Sequence, residues 1–418
     1  MPLFTHTGLA ELDYTPGTIR TEMSDAQYVS LVMLTNLLSA LSIGQYGGGG
    51  TGVGNTIQQL LHYWTETRLN PRSVTILDGG GINSAVTVTT VSLSDGAVVD
   101  VGTILKDRSQ TLLVAEQILV TGITVGASNV TLTIQRGFNG TTAASHAQNA
   151  VMEVVGSPVP EGSDIGRDMS RSPAVKANTI QSWRRDVIIT GSMVSLARHG
   201  LVPGQPNMVA FQLHERWWET LQDMERSVIY GIGTPSATQT DYQEMWGVLA
   251  WLGYASPVPN ATSVLFNANG AFITDLLFNQ VGINIYLQGG EIPDAIVGHP
   301  VVIDRTSRIF RDQLRLSQSE LVRGFNVDTI RLSLGGKPVK LIMSGYMPDP
   351  TVVEGVAAFL DLDRLVIVPF LDRFCFLISS PSMKDADMVS LVSQWTTEFR
   401  NTGTDAGYTS QVMRNFSV

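Results

Sequence analysis

The chain is 418 residues long, carries a formal net charge of −10, and is 43% hydrophobic and 15% charged. These values describe an ordered protein with room for two or three cores and exclude a disordered chain. The acidic balance argues against tight nucleic-acid binding, which needs a basic footprint, and a single cysteine, Cys375, excludes a disulfide framework or a Cys-based zinc site within one chain.

Residues 1–22 read as an arm, because Gly8, Pro16 and Gly17 punctuate it and no hydrophobic period holds. It has neither the basic start nor the apolar run of a signal peptide. A helix is expected from Ser24, a suitable N-cap, to about Leu41, ending in the loop Gly44–Gly54. Those glycines follow a helix and lack a Lys-Ser or Lys-Thr, so the phosphate-loop and dinucleotide fingerprints both fail and a hinge is the reading. The stretch from Tyr28 to Ile43 is too short and too polar to span a membrane. The sequence reads as a soluble protein folded in a cytoplasm.

From about Ser73 to Val155 Lys and Arg become scarce, and Val, Thr, Ile and Gly dominate. Val130–Gln135 alternates, so one face should be buried and the other wet. Further strands are expected at Ala85–Thr89, Val98–Leu105, Thr111–Val120 and Val151–Val155, separated by Gly- and Asn-rich turns. Together they predict an all-β insert, a small barrel or sandwich. A polar connector, Asp164 to Ser172, leads to an extended element over Ala174–Ser192. That element is expected to pair with His62–Arg72, so that the insert hangs from a two-stranded arm.

Pro206–Tyr230 predicts one long amphipathic helix: Leu213, Trp217, Leu221, Met224 and Val228 form a stripe, and Glu215, Glu219, Asp223 and Glu225 lie mostly off it. Gly231 and Gly233 end the run. Helices are then expected at Tyr242–Leu252, Ala271–Leu287 and Asp304–Gln318. Strands are expected at Ala295–Gly298, Thr329–Leu334, Val339–Ser344, Leu365–Phe370 and Arg373–Ser379, the last two as a hairpin around Leu371-Asp372, with Cys375 a buried thiol. Val389–Phe399 alternates as a strand of roughly 36 Å, matching the helix rod of about 37 Å. The fold class is α+β.

No catalytic constellation emerges. His6, His62, His146, His199, His214 and His299 are scattered, none in a metal-ligand spacing, and no G-x-S-x-G elbow exists. Asp361/Asp363 and Asp385/Asp387 could each be an acid/base couple or a calcium corner, against the plainer reading of solvated loop carboxylates. Arg305, Arg308, Arg311 and Arg315 share one stripe if Asp304–Gln318 is helical. They read as a solvated face with Asp304 and Asp312, as a row facing acidic groups of another subunit, or, least favoured by the net charge, as a nucleic-acid site.

The order of an arm, a two-stranded extended loop, a spine helix, a central α/β domain and a long C-terminal strand resembles the tailed-phage major capsid protein of the Hong Kong 97 fold. The similarity is to the branch with a β domain inserted in the extended loop. His62–Glu66 is similar to the strand entering that loop and Arg136–His146 resembles the inserted β domain. Ala177–Gln181 with Val187–Gly191 resembles the strand leaving it, and Glu225–Gly231 then Trp246–Leu249 resemble the helix end and the turn into the central domain. On this resemblance residues 1–22 are the arm and 23–72 the N-terminal helix, Gly-rich loop and first strand of the extended loop. Residues 73–156 are the insert, 157–204 the connector and second strand, 205–240 the spine, 241–380 the central domain, and 381–418 the long strand and C-terminus.

The resemblance implies a non-catalytic subunit, with no cofactor and no metal, that forms hexamers and pentamers of an icosahedral shell. It implies a place in the virion, assembly in the host cytoplasm, and packaged double-stranded DNA touched weakly and non-specifically. Implied partners are further copies of the chain, a portal protein, and scaffolding or decoration proteins, with no membrane. A cleaved N-terminal scaffolding segment is not expected. Subunit contacts are assigned to the Arg row and to Trp183, Arg184 and Arg185, and the insert to the outer or lateral face of the shell. The competing reading is an enzyme or carbohydrate-binding module with its site on the β insert.

Overall fold

The computed structural model describes residues 36–41, 56–67, 73–77, 81–84, 90–93, 99–108, 115–125, 130–159, 172–192, 208–233, 242–254, 264–310, 315–322, 325–332, 337–371, 373–380, 385–403 and 407–418, with a few single residues at 161–170 and 259. The arm 1–22, most of the helix expected at Ser24–Leu41, the Gly-rich loop and the strand expected at Ala85–Thr89 lie outside them. The chain divides into two units: Met1–Glu66 with Ala174–Val418, and Thr67–Pro173. Among the described residues no helix is long and apolar enough to cross a membrane.

In chain order the first unit opens with α1 (Asn36–Ala40) and β1 (Leu61–Glu66). The second unit holds β2 (Ser73–Thr75), β3 (Thr90–Leu93), β4 (Ile104–Asp107), β5 (Ile118–Val125), β6 (Val130–Gln135) and β7 (Val151–Gly156). The first unit resumes with β8 (Ala174–Thr179), β9 (Gln181–Thr190), α2 (Met208–Tyr230), α3 (Val248–Trp251), β10 (Leu265–Asn267), α4 (Asp275–Gly289), β11 (Ala295–Gly298) and α5 (Pro300–Ile309). It closes with β12 (Arg315–Val322), β13 (Phe325–Ile330), β14 (Val339–Met343), β15 (Gly355–Leu360), β16 (Leu365–Pro369), β17 (Phe376–Ser380), β18 (Ala386–Phe399), β19 (Thr402–Gly403), β20 (Gly407–Tyr408) and β21 (Gln411–Phe416).

Seven strands in the order β10-β21-β15-β11-β14-β13-β12 make the larger sheet. Two of its inner strands, β11 and β15, are continuous apolar runs because both faces are covered. Ala295 and Val297 of β11, Val356, Ala358 and Leu360 of β15, and Val412 of β21 enter one core with the end of α2. The alternate residues Ile296, Ala357, Phe359 and Met413 enter a second core with Phe278, Val281 and Ile285 of α4 and Val302 and Ile303 of α5. Thr274 caps α4 by accepting a hydrogen bond from Leu277 N, and Gly290, with φ 76°, ends it in the left-handed region.

The smaller sheet is built on β18, which is 14 residues long. One edge pairs with β9 from Ala386↔Thr190 to Trp395↔Gln181. The other edge pairs first with β17, Met388↔Ser380 to Val392↔Phe376, and then with β16, Trp395↔Pro369 to Phe399↔Leu365. The expected hairpin around Leu371-Asp372 is therefore wrong. β16 and β17 run end to end along one neighbour, and Leu371 and Cys375 take positive φ in the kink between them. The Cys375 thiol is half-buried there, 3.3 Å from Ser393 Oγ, and burial pushes it up to about 11.

Ala174–Ser192 also differs from expectation, being two strands. β8 pairs with β1, Leu61↔Thr179 to Glu66↔Ala174, whereas β9 belongs to the sheet of β18. Helix α2 packs on β9 and β18. Leu221, Met224 and Val228 are buried from the expected stripe, while Leu213 and Trp217 are half-buried. Glu225, read as off the stripe, is fully buried and accepts a 2.7 Å hydrogen bond from Ser344 Oγ. After α2 the chain doubles back: Gly247 N donates to Gly231 O at 2.8 Å. A Cβ on Gly231 would collide with Met245 O and one on Gly247 with Gly231 N. Of the helix expected at Tyr242–Leu252 only Val248–Trp251 is helical.

In the unit Thr67–Pro173 six antiparallel strands lie in the order β2-β7-β4-β5-β6-β3. Val130, Leu132 and Ile134 of β6 point into a core with Val74, Leu105, Ile118, Val120 and Met152, and Thr133 and Gln135 point out.

Candidate assembly surfaces and buried ionic clusters

The four arginines expected on one helical stripe are not on one element. α5 ends at Ile309, where Phe310 is buried and packs edge-on against Phe278 of α4. Arg305 and Arg308 are on α5, Arg308 paired with Asp304 at 3.0 Å across one turn. Arg311 lies outside the described residues, and Arg315 begins β12, so a single helical row is excluded. Trp183 is committed to its own subunit: it is buried and stacked on Trp395 with ring centroids 4.6 Å apart. Arg185 of β9 pairs with Asp223 of α2 and knits sheet to helix, while the exposed Arg184 pairs with Asp186 at 2.7 Å.

A surface that the sequence reading did not single out is the outer side of α4. Its inner side carries Phe278, Val281 and Ile285 into the core. Its outer side carries four large apolar side chains beside the exposed Gln280 and Gln288: Leu276 is 75% exposed, Leu287 61%, Tyr286 49% and Ile283 42%. Residues 276, 283 and 287 fall on one line of an α-helix. Large apolar side chains clustered on an exposed helix side mark an interaction surface. The signal was present in the sequence as a helix whose apolar residues are not confined to one face, DLLFNQVGINIYLQG.

Among the described residues two ionic clusters stand out, one buried and the other partly so. In the Thr67–Pro173 unit Glu116 accepts from Arg136 Nε at 2.6 Å and Nη2 at 2.7 Å, in a fork, and from Gly137 N and Ala144 N, each at 2.9 Å. His146 sits between two carboxylates, Nε2 3.0 Å from Glu116 Oε2 and Nδ1 2.7 Å from Asp107 Oδ2. Arg136 also donates from Nη1 to Asn83 O and from Nη2 to Ala144 O. Burial alone would raise the Glu116 carboxyl, but the bonds from Arg136, Ala144, His146 and Gly137 outweigh it and hold it down at about 2. The segment Arg136–His146 is thus a loop wrapped around one carboxylate, turned by Gly137 at φ 60°.

The second cluster lies at one end of the larger sheet, and strand register creates it. Ala295 of β11 is opposite Leu360 of β15, so the next residues outward, Asp294 and Asp361, are neighbours. Asp294, Asp361 and Asp363 each bring one carboxylate oxygen within 4.8 Å of the others, a set that could hold a metal ion. Lys337 pairs with Asp294. Arg364 Nη2 reaches Glu291 at 3.1 Å, and its Nε is 3.6 Å from Asp361 Oδ2. Burial, then the charge of Asp294, then a side-chain hydrogen bond with Glu291 and its charge, push the Asp361 carboxyl up to about 7, Arg364 opposing. The Asp361-Leu362-Asp363 pair was read as a possible calcium corner or loop carboxylates. Asp361 is buried and Asp363 is exposed.

Residues 23–409 match the family model described as SU10 major capsid protein. Among curated proteins none matches the chain. Solved structures similar to it include the capsid of a native GTA particle (10% identity, TM-score 0.45, 99% of this chain and 100% of that one). Others are the holo-SrpI encapsulin complex from Synechococcus elongatus PCC 7942 (14%, 0.40, 60% and 78%) and Mycobacterium phage Bobi (12%, 0.37, 80% and 88%).

Proposed function

From the premise that this chain belongs to the SU10 major capsid protein family, we propose that it closes an icosahedral shell of hexamers and pentamers around double-stranded DNA. Membership makes it a structural protein of a phage or phage-like capsid and not an enzyme. The finer reading gives the chain a Hong Kong 97-like organisation, with α2 as spine, β1 and β8 at the base of the extended loop, the unit Thr67–Pro173 as its insert, and the seven-stranded sheet as the central domain. Contacts with a portal protein, with scaffolding or decoration proteins, and loosely with DNA belong to the same reading.

The observation that carries it is the outer side of α4. Leu276, Ile283, Tyr286 and Leu287 stand exposed on a helix whose other side is already in the core. Each 100 Å² of such surface removed from water is worth about 2.5 kcal/mol, and a neighbouring copy repeated around a closed ring supplies the cover. The test is electron microscopy of the purified chain beside a Leu276→Arg, Leu287→Arg variant. Shells are expected from the wild type, and soluble subunits with unchanged circular dichroism from the variant. Normal shells from the variant would remove α4 from the interface, and the absence of any closed particle from the wild type, with or without co-expressed scaffold, would defeat the assembly reading.

A further inference from the structure

We infer that Asn139 is a site of spontaneous self-modification, in which the main-chain nitrogen of Gly140 attacks the Asn139 side chain and converts it to Asp or isoAsp. Glycine after asparagine permits this chemistry because no Cβ obstructs ring closure. The sequence holds two such dipeptides, Asn139-Gly140 and Asn269-Gly270, and the structure separates them.

Both occupy the same kind of turn. Asn139 and Gly140 have φ 55° and 77°, and Asn269 and Gly270 have φ 52° and 79°, which suits a two-residue turn with positive φ at both positions. All four residues are exposed, and a Cβ on either glycine would meet nothing within 4 Å. Access to water and room to move therefore do not distinguish the two.

The nucleophile does. Gly270 N donates to Asn415 O of β21 at 2.7 Å, and Asn269 N donates to Asn267 Oδ1 at 2.9 Å. Among the described residues Gly140 N donates to no group outside its own turn. Ring closure needs the turn to open, because Asn139 sits at ψ 30°. The bond closing that turn, Thr141 N to Phe138 O, is 3.3 Å, whereas Ala271 N to Ala268 O is 3.0 Å. At Gly270 the bond to β21 must break as well, and a hydrogen bond of ordinary net worth slows such a step several-fold to roughly tenfold. The Asn139 side chain is tethered by Nδ2 to Gln117 Oε1 at 2.9 Å, an exposed bond made by the group that departs.

The Gly140 nitrogen gives its proton to water and bonds to Asn139 Cγ, the Cγ–Nδ2 bond breaks, and Nδ2 leaves as ammonia after taking up a proton. Water then opens the cyclic imide at either carbonyl, giving Asp or isoAsp, and nothing is oxidised or reduced. IsoAsp routes the main chain through the former side chain and lengthens it by a methylene, within the segment that wraps Glu116.

The test is peptide mass spectrometry of the full chain aged in mildly alkaline buffer, with released ammonia assayed alongside. Native protein is expected to exchange ammonia for water at Asn139, with isoAsp among the products, and to convert Asn269 several-fold less. In urea the two sites should converge, which shows that the fold and not the neighbouring residues sets the difference. Asn139→Gln should release less ammonia and leave conversion at Asn269 unchanged. Absence of conversion at Asn139 overturns the proposal, as does native conversion at Asn269 that equals or exceeds it. A difference between the sites that persists undiminished in urea overturns it too.

Discussion

In the unit Thr67–Pro173, Glu116 is surrounded by donors: a guanidinium fork, two backbone amides and an imidazole. In the other unit Asp361 is surrounded mostly by other carboxylates. Burial is common to both sites; what differs is where the partners come from. The loop Arg136–His146 is local and was free to fold around its carboxylate, whereas Asp294 and Asp361 are fixed by strands whose register is set by apolar residues elsewhere. One carboxyl is accordingly held at about 2 and the other pushed to about 7. A loop that can adapt brings donors to a buried carboxylate, whereas a strand register fixed elsewhere leaves Asp361 among like charges.

The largest effect should come from breaking the satisfied site. Arg136→Met leaves Glu116 buried without its guanidinium, a change that costs about 3–5 kcal/mol in comparable settings. All seven tryptophans lie outside residues 67–173, so their fluorescence reports on the other unit alone. The expected outcome is proteolytic cutting within residues 67–173 while the tryptophan spectrum stays native.

Relieving the unsatisfied site should have the opposite sign and a smaller size. In chelating buffer at pH 8, Asp361→Asn is expected to stabilise by about 1–3 kcal/mol, since like charges on a buried pair are separated. The measurement is the urea midpoint of tryptophan fluorescence, and a fall in that midpoint would contradict the comparison.

The pH dependences should also run in opposite directions. The folded pKa of Asp361 is raised, so the folded state binds the extra proton between about pH 4 and pH 7. In chelator the tryptophan-reported midpoint should therefore fall as pH rises through that window, and Asp361→Asn should flatten the slope. The folded pKa of Glu116 is depressed, so its contribution is full above its ordinary value and is lost as pH falls from about 4.5 toward 2. Proteolytic resistance of residues 67–173 should persist at pH 5 and fail at lower pH.

The smallest effect is reserved for an exposed pair. Arg308 and Asp304 are both well exposed, and Arg308→Ala should change stability by no more than about 0.5 kcal/mol. A loss of several-fold in shell yield from this change alone would restore Arg308 to an interface.

Period carried far in the sequence. The alternation of β6 and the α2 stripe near Leu221–Val228 were legible because burial of one face imposes them. The Arg row failed because it extended α5 by its charges; the apolar pattern stops at Phe310, and Arg315–Val322 instead pairs with Phe325–Ile330. The hairpin at Leu371 failed because a short gap between strands reads as a reversal, and only the partner β18 shows it to be a kink. Glu116 was invisible for a related reason. Its partners begin 20 residues later, in a motif whose Arg and His had no evident counter-charge. Nothing local announced that Asp294 and Asp361, held together by register, would meet.

The position of two late strands bears on the order in which this chain can fold during synthesis. β18 is the middle of the smaller sheet, partnered by β9 about two hundred residues earlier, and β21 lies between β10 and β15 in the larger one. Until residues 386–416 leave the ribosome, both sheets lack an inner strand. The unit Thr67–Pro173 pairs its six strands with one another and can fold tens of seconds of translation sooner, at roughly 5–20 residues per second. Neighbouring nascent chains on one message thus carry folded inserts but no finished sheet.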